Sequence, residues 1–177
     1  MRYVALLRAI NVGGHAPLRM ADLRSRLESL GLADVATYIQ TGNVLFSSGE
    51  VDPEALARKI EERLEASFGY RGKVFVLTPE QLKRAAANNP FTSQCAGGEQ
   101  RCHLMFLDRE PAEDRLPALL ALQGEEYRIA LRERVLYYKY PRAFDGRRRT
   151  IDFEKVLGVV GTARNWGVVQ RLISLAG

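Results

Sequence analysis

Arg8, Asn11, Gln40 and Asn43 are residues of this 177-residue chain whose side chains suit the recognition of an anion. A guanidinium and three carboxamides offer N–H donors to a carboxylate, a phosphate or the edge of a base. Gly13 and Gly14 follow Asn11 closely and could let successive backbone N–H groups form an anion nest. The competing reading is local: glycines permit a turn, and Asn11 and Asn43 satisfy neighbouring backbone. A second set lies in Gly161-Thr162-Ala163-Arg164-Asn165-Trp166. Thr162 reads as a helix N-cap, which would put Arg164 and Asn165 in a first turn whose free N–H groups favour anions. Trp166 offers a stacking surface or, at helical spacing with Val169 and Ile173, a core contact.

The third set is a run of charge. The chain carries 26 Lys and Arg against 21 Asp and Glu, a net charge of +5. Positions 132–149 alone hold seven cations and two anions, so this stretch equals the whole excess. Its Arg142, Arg147, Arg148 and Arg149 could contact the phosphates of a nucleic acid. A solvated loop is the plainer account of the same run.

Cys95 and Cys102 have neither C-x-x-C spacing nor a disulfide framework around them, so free, partly buried thiols are expected. With His103 and His15 they do not match structural-zinc spacing, and no metal is expected. His15 could serve as a base, but no nucleophile or acid partner accompanies it. No P-loop, G-x-G-x-x-G, H-E-x-x-H or G-x-S-x-G pattern occurs, and Phe46 alone makes no RNA-stacking array. The residues therefore name no reaction and no cofactor.

These side chains need elements to position them. With 46% hydrophobic and 27% charged residues the chain is an ordinary globular one, not a disordered one. The apolar run Tyr3-Val4-Ala5-Leu6-Leu7 is too short for a signal-peptide core, and no stretch reaches the ~18 apolar residues of a membrane span. A cytoplasmic location is expected.

Residues 3–10 read as a strand and 11–14 as a turn. Met20, Leu23, Leu27 and Leu30 predict a helix ended by Gly31. Strands at 35–40 and 43–48 flank Thr41-Gly42, a hairpin signal. Asp52 caps a helix with Pro53 at its first position and Leu56, Ile60, Leu64 and Phe68 as its stripe. A strand at 73–77 is followed by the capping box Thr78-Pro79-Glu80-Gln81 and a short helix. The order is β-α-β-β-α-β, the ferredoxin-like arrangement. In that fold the first strand lies antiparallel to the third, which brings Arg8, Asn11, Gln40 and Asn43 to one sheet edge.

The second half reads as an echo: a strand at 103–107, a helix near 113–122, strands at 126–131 and 134–140, a helix near 151–157 and a last helix carrying Trp166. Its final strand is missing from this reading. The expectation is an α+β protein of two small ferredoxin-like subdomains, the second incomplete, with a shared core as one arrangement. The boundaries are 1–87, a linker at 88–101, and 102–177.

The blocks YVALLRAINVGG (3–14), MADLRSRLESLG (20–31), TYIQTGNVLFSS (37–48) and TARNW (162–166) together resemble the bacterial family known as domain of unknown function 1697. The resemblance implies a small cytosolic α+β protein of two related subdomains with no assigned activity. It also implies that Arg8, Asn11, Gly13, Gly14, Tyr38, Gln40, Gly42, Asn43, Arg164, Asn165 and Trp166 are the characteristic positions. The chain departs from the pattern at Ala9, where the family usually has Gly. His15-Ala16-Pro17 lacks the family's Lys, and Gly146-Arg147-Arg148-Arg149 replaces a Gly/Ser-containing loop. The expected function is a polar pocket for a small anionic ligand, a nucleotide or phosphorylated metabolite. The alternatives are nucleic-acid binding through 132–149 and a protein-interaction module.

Overall fold

Tyr3, Ala5 and Leu7 alternate with Val4 and Leu6 along β1 (Arg2–Leu7), and all five are buried, so the strand has no solvent face. In a computed structural model, which describes residues 1–11, 18–96, 100–124, 127–141 and 151–177, this strand is central to a four-stranded sheet. β2 (Ala33–Tyr38), β3 (Asn43–Ser47) and β4 (Val74–Leu77) complete it in the order β2-β3-β1-β4. β1 runs antiparallel to β3, with Leu6 opposite Asn43. One face carries Tyr3, Ala5, Leu7, Val44 and Phe46 against α1 (Met20–Glu28) and α2 (Pro53–Phe68). Each fully buried Leu on these helices stabilises by roughly 1.5–3 kcal/mol relative to exposure.

The expected local signals form. Asp52 accepts from the Glu54 N–H at 2.9 Å, and Gly69 closes α2 in the left-handed region. Thr78 and Gln81 exchange reciprocal side-chain to backbone bonds of 2.9 and 3.2 Å at the start of α3 (Pro79–Ala87). β1 stops three residues earlier than its apolar run suggests. Ala9 and Asn11, at φ +53° and +56°, turn the chain out of extended geometry.

The second sheet contains β5 (Gln100–Leu107), β6 (Arg128–Arg132), β7 (Val135–Pro141) and β8 (Gly161–Asn165), in the order β6-β7-β5-β8. α4 (Thr92–Ala96) precedes β5, and a 3-10 turn (Glu113–Arg115) leads into α5 (Leu116–Leu120). α6 (Phe153–Leu157) and α7 (Trp166–Ala176) flank β8. Met105, Leu107, Ile129 and Leu136 pack with Leu119, Phe153 and Leu157.

The protein is α+β, as expected, but the second half is a complete β-α-β-β-α-β unit, which corrects the missing strand. β8 occupies Gly161-Thr162-Ala163-Arg164-Asn165, pairing with β5 from Leu107 to His103. It escapes periodicity because its buried positions are Gly161, Thr162 and Arg164 rather than aliphatic residues. Thr162 is consequently not a helix cap. Asn165 is, its Oδ1 accepting from the Val168 N–H at 2.9 Å.

The cysteines also differ from expectation. Cys95 and Cys102 form a disulfide with Cα atoms 5.6 Å apart. α4 lies against β5, which brings the two side chains together, a proximity that sequence spacing does not encode.

By its contacts the chain divides into unit 1, Met1–Arg84 with Arg171–Gly177, and unit 2, Ala85–Gln170. Among the described residues no helix is long and apolar enough to cross a membrane.

Candidate functional site

In unit 1 the antiparallel β1–β3 pairing brings Arg8 and Asn11 to the hairpin end that holds Gln40 and Asn43. Asn11 Nδ2 donates to the carbonyls of Gln40 and Leu18, both at 3.1 Å, and its Oδ1 accepts from the Leu18 N–H at 2.7 Å. The side chain thus clamps both ends of its own loop to the hairpin. Asn43 is fully buried, donating to the Tyr38 carbonyl and to Thr41 Oγ1 at 3.0 and 2.9 Å. Both amides are engaged in holding the turns. The Arg8 backbone is anchored too, its N–H donating to the Lys73 carbonyl and its carbonyl accepting from the Tyr70 hydroxyl. Gln40 is exposed.

Gly42 has a packing reason of its own. At φ +75°, a Cβ there would lie 2.5 Å from Ile10 Cγ2 and 2.8 Å from Leu7 Cβ. Ile39, with φ +51° and 45% exposure, is a β-branched residue in a conformation that disfavours it. Gly13, Gly14 and His15 lie outside the described residues, as do Arg142, Arg147, Arg148 and Arg149.

Arg164 and Asn165 belong to unit 2. Arg164 is 8% exposed within β8, and its guanidinium donates to Thr162 Oγ1 and the Ala163 carbonyl, both at 2.8 Å. It sits in a strand and not at a helix N-terminus, so the anion-favouring first turn expected there does not include it.

Unit 2 contains a cleft of about 390 Å³ that the sequence reading missed. Segment 90–94 forms one wall with Phe91 and Gln94, and Gln123, Arg128, Arg132 and Lys139 line the rest. Alternation along β6 puts Arg128 and Arg132 on the same face, about 13 Å apart at the usual strand rise. Lys139 of β7 stands directly opposite Arg128. Like charges in direct cross-strand opposition are unfavourable. Among the described residues neither these two nor Arg132 forms an ion pair, and none of the lining residues is acidic. Lys139 Nζ lies 5.9 Å from the Phe91 ring centroid, within cation–π range. The signal was partly legible: Arg132 and Lys139 fall in the basic run, but Arg128 precedes it and Phe91 lies in the expected linker.

On the opposite face of this sheet His103 is stacked with Tyr138 and Tyr140, at centroid distances of 5.0 and 5.6 Å. Its Nδ1 is buried with no hydrogen-bond partner among the described residues. Burial, aided by the Arg101 cation, pushes the imidazole down from 6.5 to about 4. No group of three or more His, Cys, Asp or Glu converges on a metal position among the described residues.

Comparison with known proteins bears on this arrangement. The family described as "Protein of unknown function (DUF1697)" matches residues 1–137. The chain belongs to that family. No curated protein matches it. Among solved structures it is similar to the conserved bacterial protein SP0830 from Streptococcus pneumoniae, at 21% identity and a TM-score of 0.78. The likeness covers 99% of this chain and 98% of that one, and it supports the fold.

Proposed function

We propose that this family member binds a small phosphorylated molecule in the unit 2 cleft, and that the ligand carries more than one anionic group. The observation that carries the reading is the Arg128–Lys139 opposition, a repulsive cross-strand pair in a cleft with no acidic residue among its described lining. A phosphate between the two cations removes the repulsion and gains charge-assisted hydrogen bonds. Arg132, further along β6, would meet a second anionic group, while Gln94 and Gln123 supply neutral donors. The cleft volume suits a nucleotide-sized molecule. The reading places the protein in the cytoplasm, where such metabolites reside.

Thermal-shift and calorimetric titrations with inorganic pyrophosphate, nucleotides and sugar phosphates test it, using wild type, Arg128→Ala and Arg8→Ala. Stabilisation of wild type and Arg8→Ala, lost in Arg128→Ala, is the expected result. A ligand at 100 times its dissociation constant adds about 2.7 kcal/mol. Loss confined to Arg8→Ala would overturn the cleft in favour of the β1 edge. Binding of short oligonucleotides in preference to small phosphates, falling steeply with salt, would replace it with nucleic-acid recognition.

A further inference from the structure

The wall of the cleft is attached to the sheet in an unusual way. Across β5, β7 and β6 run the register partners Cys102, Lys139 and Arg128, so the disulfide and the two opposed cations share one row of one face. Cys95, at the other end of the disulfide, lies in the five-residue α4 beside Gln94 of the cleft wall, and Phe91 of the wall is the residue before this helix. The described hydrogen bonds of residues 89–96 stay inside that segment or reach back to Ala86. Asn89 Oδ1 accepts from the Phe91 N–H at 3.0 Å, its carbonyl accepts from Thr92 Oγ1 at 2.9 Å, and its Nδ2 contacts Cys95 Sγ at 3.7 Å. Beside the main chain that runs on into β5, the disulfide is the covalent link from this wall to the sheet, and the Phe91–Lys139 contact adds a noncovalent one.

We propose that Cys95–Cys102 is a redox latch on the cleft, closed when oxidised and released by a cellular dithiol. The proposal rests on the reading of the cleft as an anion site. In the releasing step a thiolate of the dithiol attacks one sulfur, the S–S bond breaks, and the other cysteine leaves as a thiolate that takes up a proton. The second thiolate of the dithiol then resolves the mixed disulfide and frees the second cysteine. The protein gains two electrons and two protons, and the dithiol becomes a disulfide. Exchange with glutathione disulfide returns the pair to the oxidised form. Cys95 and Cys102 are 9% and 5% exposed, so the attacking thiolate enters through local opening of α4, whose Thr92, Ser93, Gln94 and Ala96 are exposed. Once released, the wall loses its cross-link to β5 and more of the ordering of Phe91 and Gln94 falls to the ligand, which weakens binding by about fivefold to tenfold.

The experiment compares intact protein equilibrated with glutathione disulfide or with dithiothreitol, the reagent then removed. Alkylation and mass spectrometry count thiols, amide hydrogen exchange follows residues 89–96, and calorimetry measures pyrophosphate affinity. The expected result is no alkylation in the first state and two adducts in the second, with faster exchange at 89–96 and fivefold to tenfold weaker binding. The Cys95→Ser/Cys102→Ser double variant should match the reduced state without reductant. Two thiols that stay free under glutathione disulfide overturn the latch, as does exchange that reduction leaves unchanged, or measurable pyrophosphate binding of equal affinity in the two states. Faster exchange with pyrophosphate bound in neither state overturns the anion-site reading and leaves the latch standing.

Discussion

Ala9→Gly should make the protein more stable, although it removes a methyl group. Ala9 is exposed and sits at φ +53°, so the substitution gives up little burial and relieves a left-handed alanine. An L-residue there costs roughly 1–2 kcal/mol. Glycine returns about 0.4–1 kcal/mol of that through the greater freedom of its unfolded chain. The balance is a gain of about 0.5–1 kcal/mol, or ~1–4 °C in melting temperature for a chain of this size. Urea titration measures it, with the midpoint rising and the slope unchanged. Ala9→Val should move the midpoint the other way, because a β-branched residue tolerates this region least. A destabilised or unchanged Ala9→Gly would refute the view that Ala9 is strained.

Gly42→Ala should destabilise by about 3 kcal/mol or more, combining overpacking against Ile10 and Leu7 with left-handed strain, and would be read as a lowered urea midpoint. Stability should also fall with acid through His103. Its folded pKa, about 4, lies below the ordinary 6.5, so the unfolded chain binds the proton more readily between these values. The contribution is complete above about pH 6.5 and is lost as pH falls toward 4, amounting to at most about 3 kcal/mol. His103→Phe keeps a ring against Tyr138 and Tyr140 and should flatten that part of the profile. A profile the variant leaves unchanged would remove His103 from the acid response.

The elements that were legible are those whose signals are local. Asp52-Pro53, Thr78 with Gln81, and the Gly42 hairpin each form where their residue types predict, and pairing order then follows from the β-α-β-β-α-β sequence. Topology also anticipated that Asn11 and Gln40 meet, as their hydrogen bond shows. β8 was hidden because a buried Arg164 and Thr162 replace the aliphatic residues that mark a strand. The disulfide and the cleft were hidden for a different reason. Cys95 meets Cys102, and Arg128 faces Lys139, through the placement of α4 and through strand register, and neither is written in the spacing of one segment.

The assignment of Arg171–Gly177 to unit 1 has a consequence for how the protein comes to be folded. Lys83 Nζ reaches the Gly177 carbonyl at 2.7 Å, joining two segments of unit 1 between which all of unit 2 is threaded. During translation, unit 2 leaves the ribosome before unit 1 has all its parts. A fragment cut at residue 84 would therefore be an unfinished body, and the second unit, continuous in sequence, is the one able to reach its native form first.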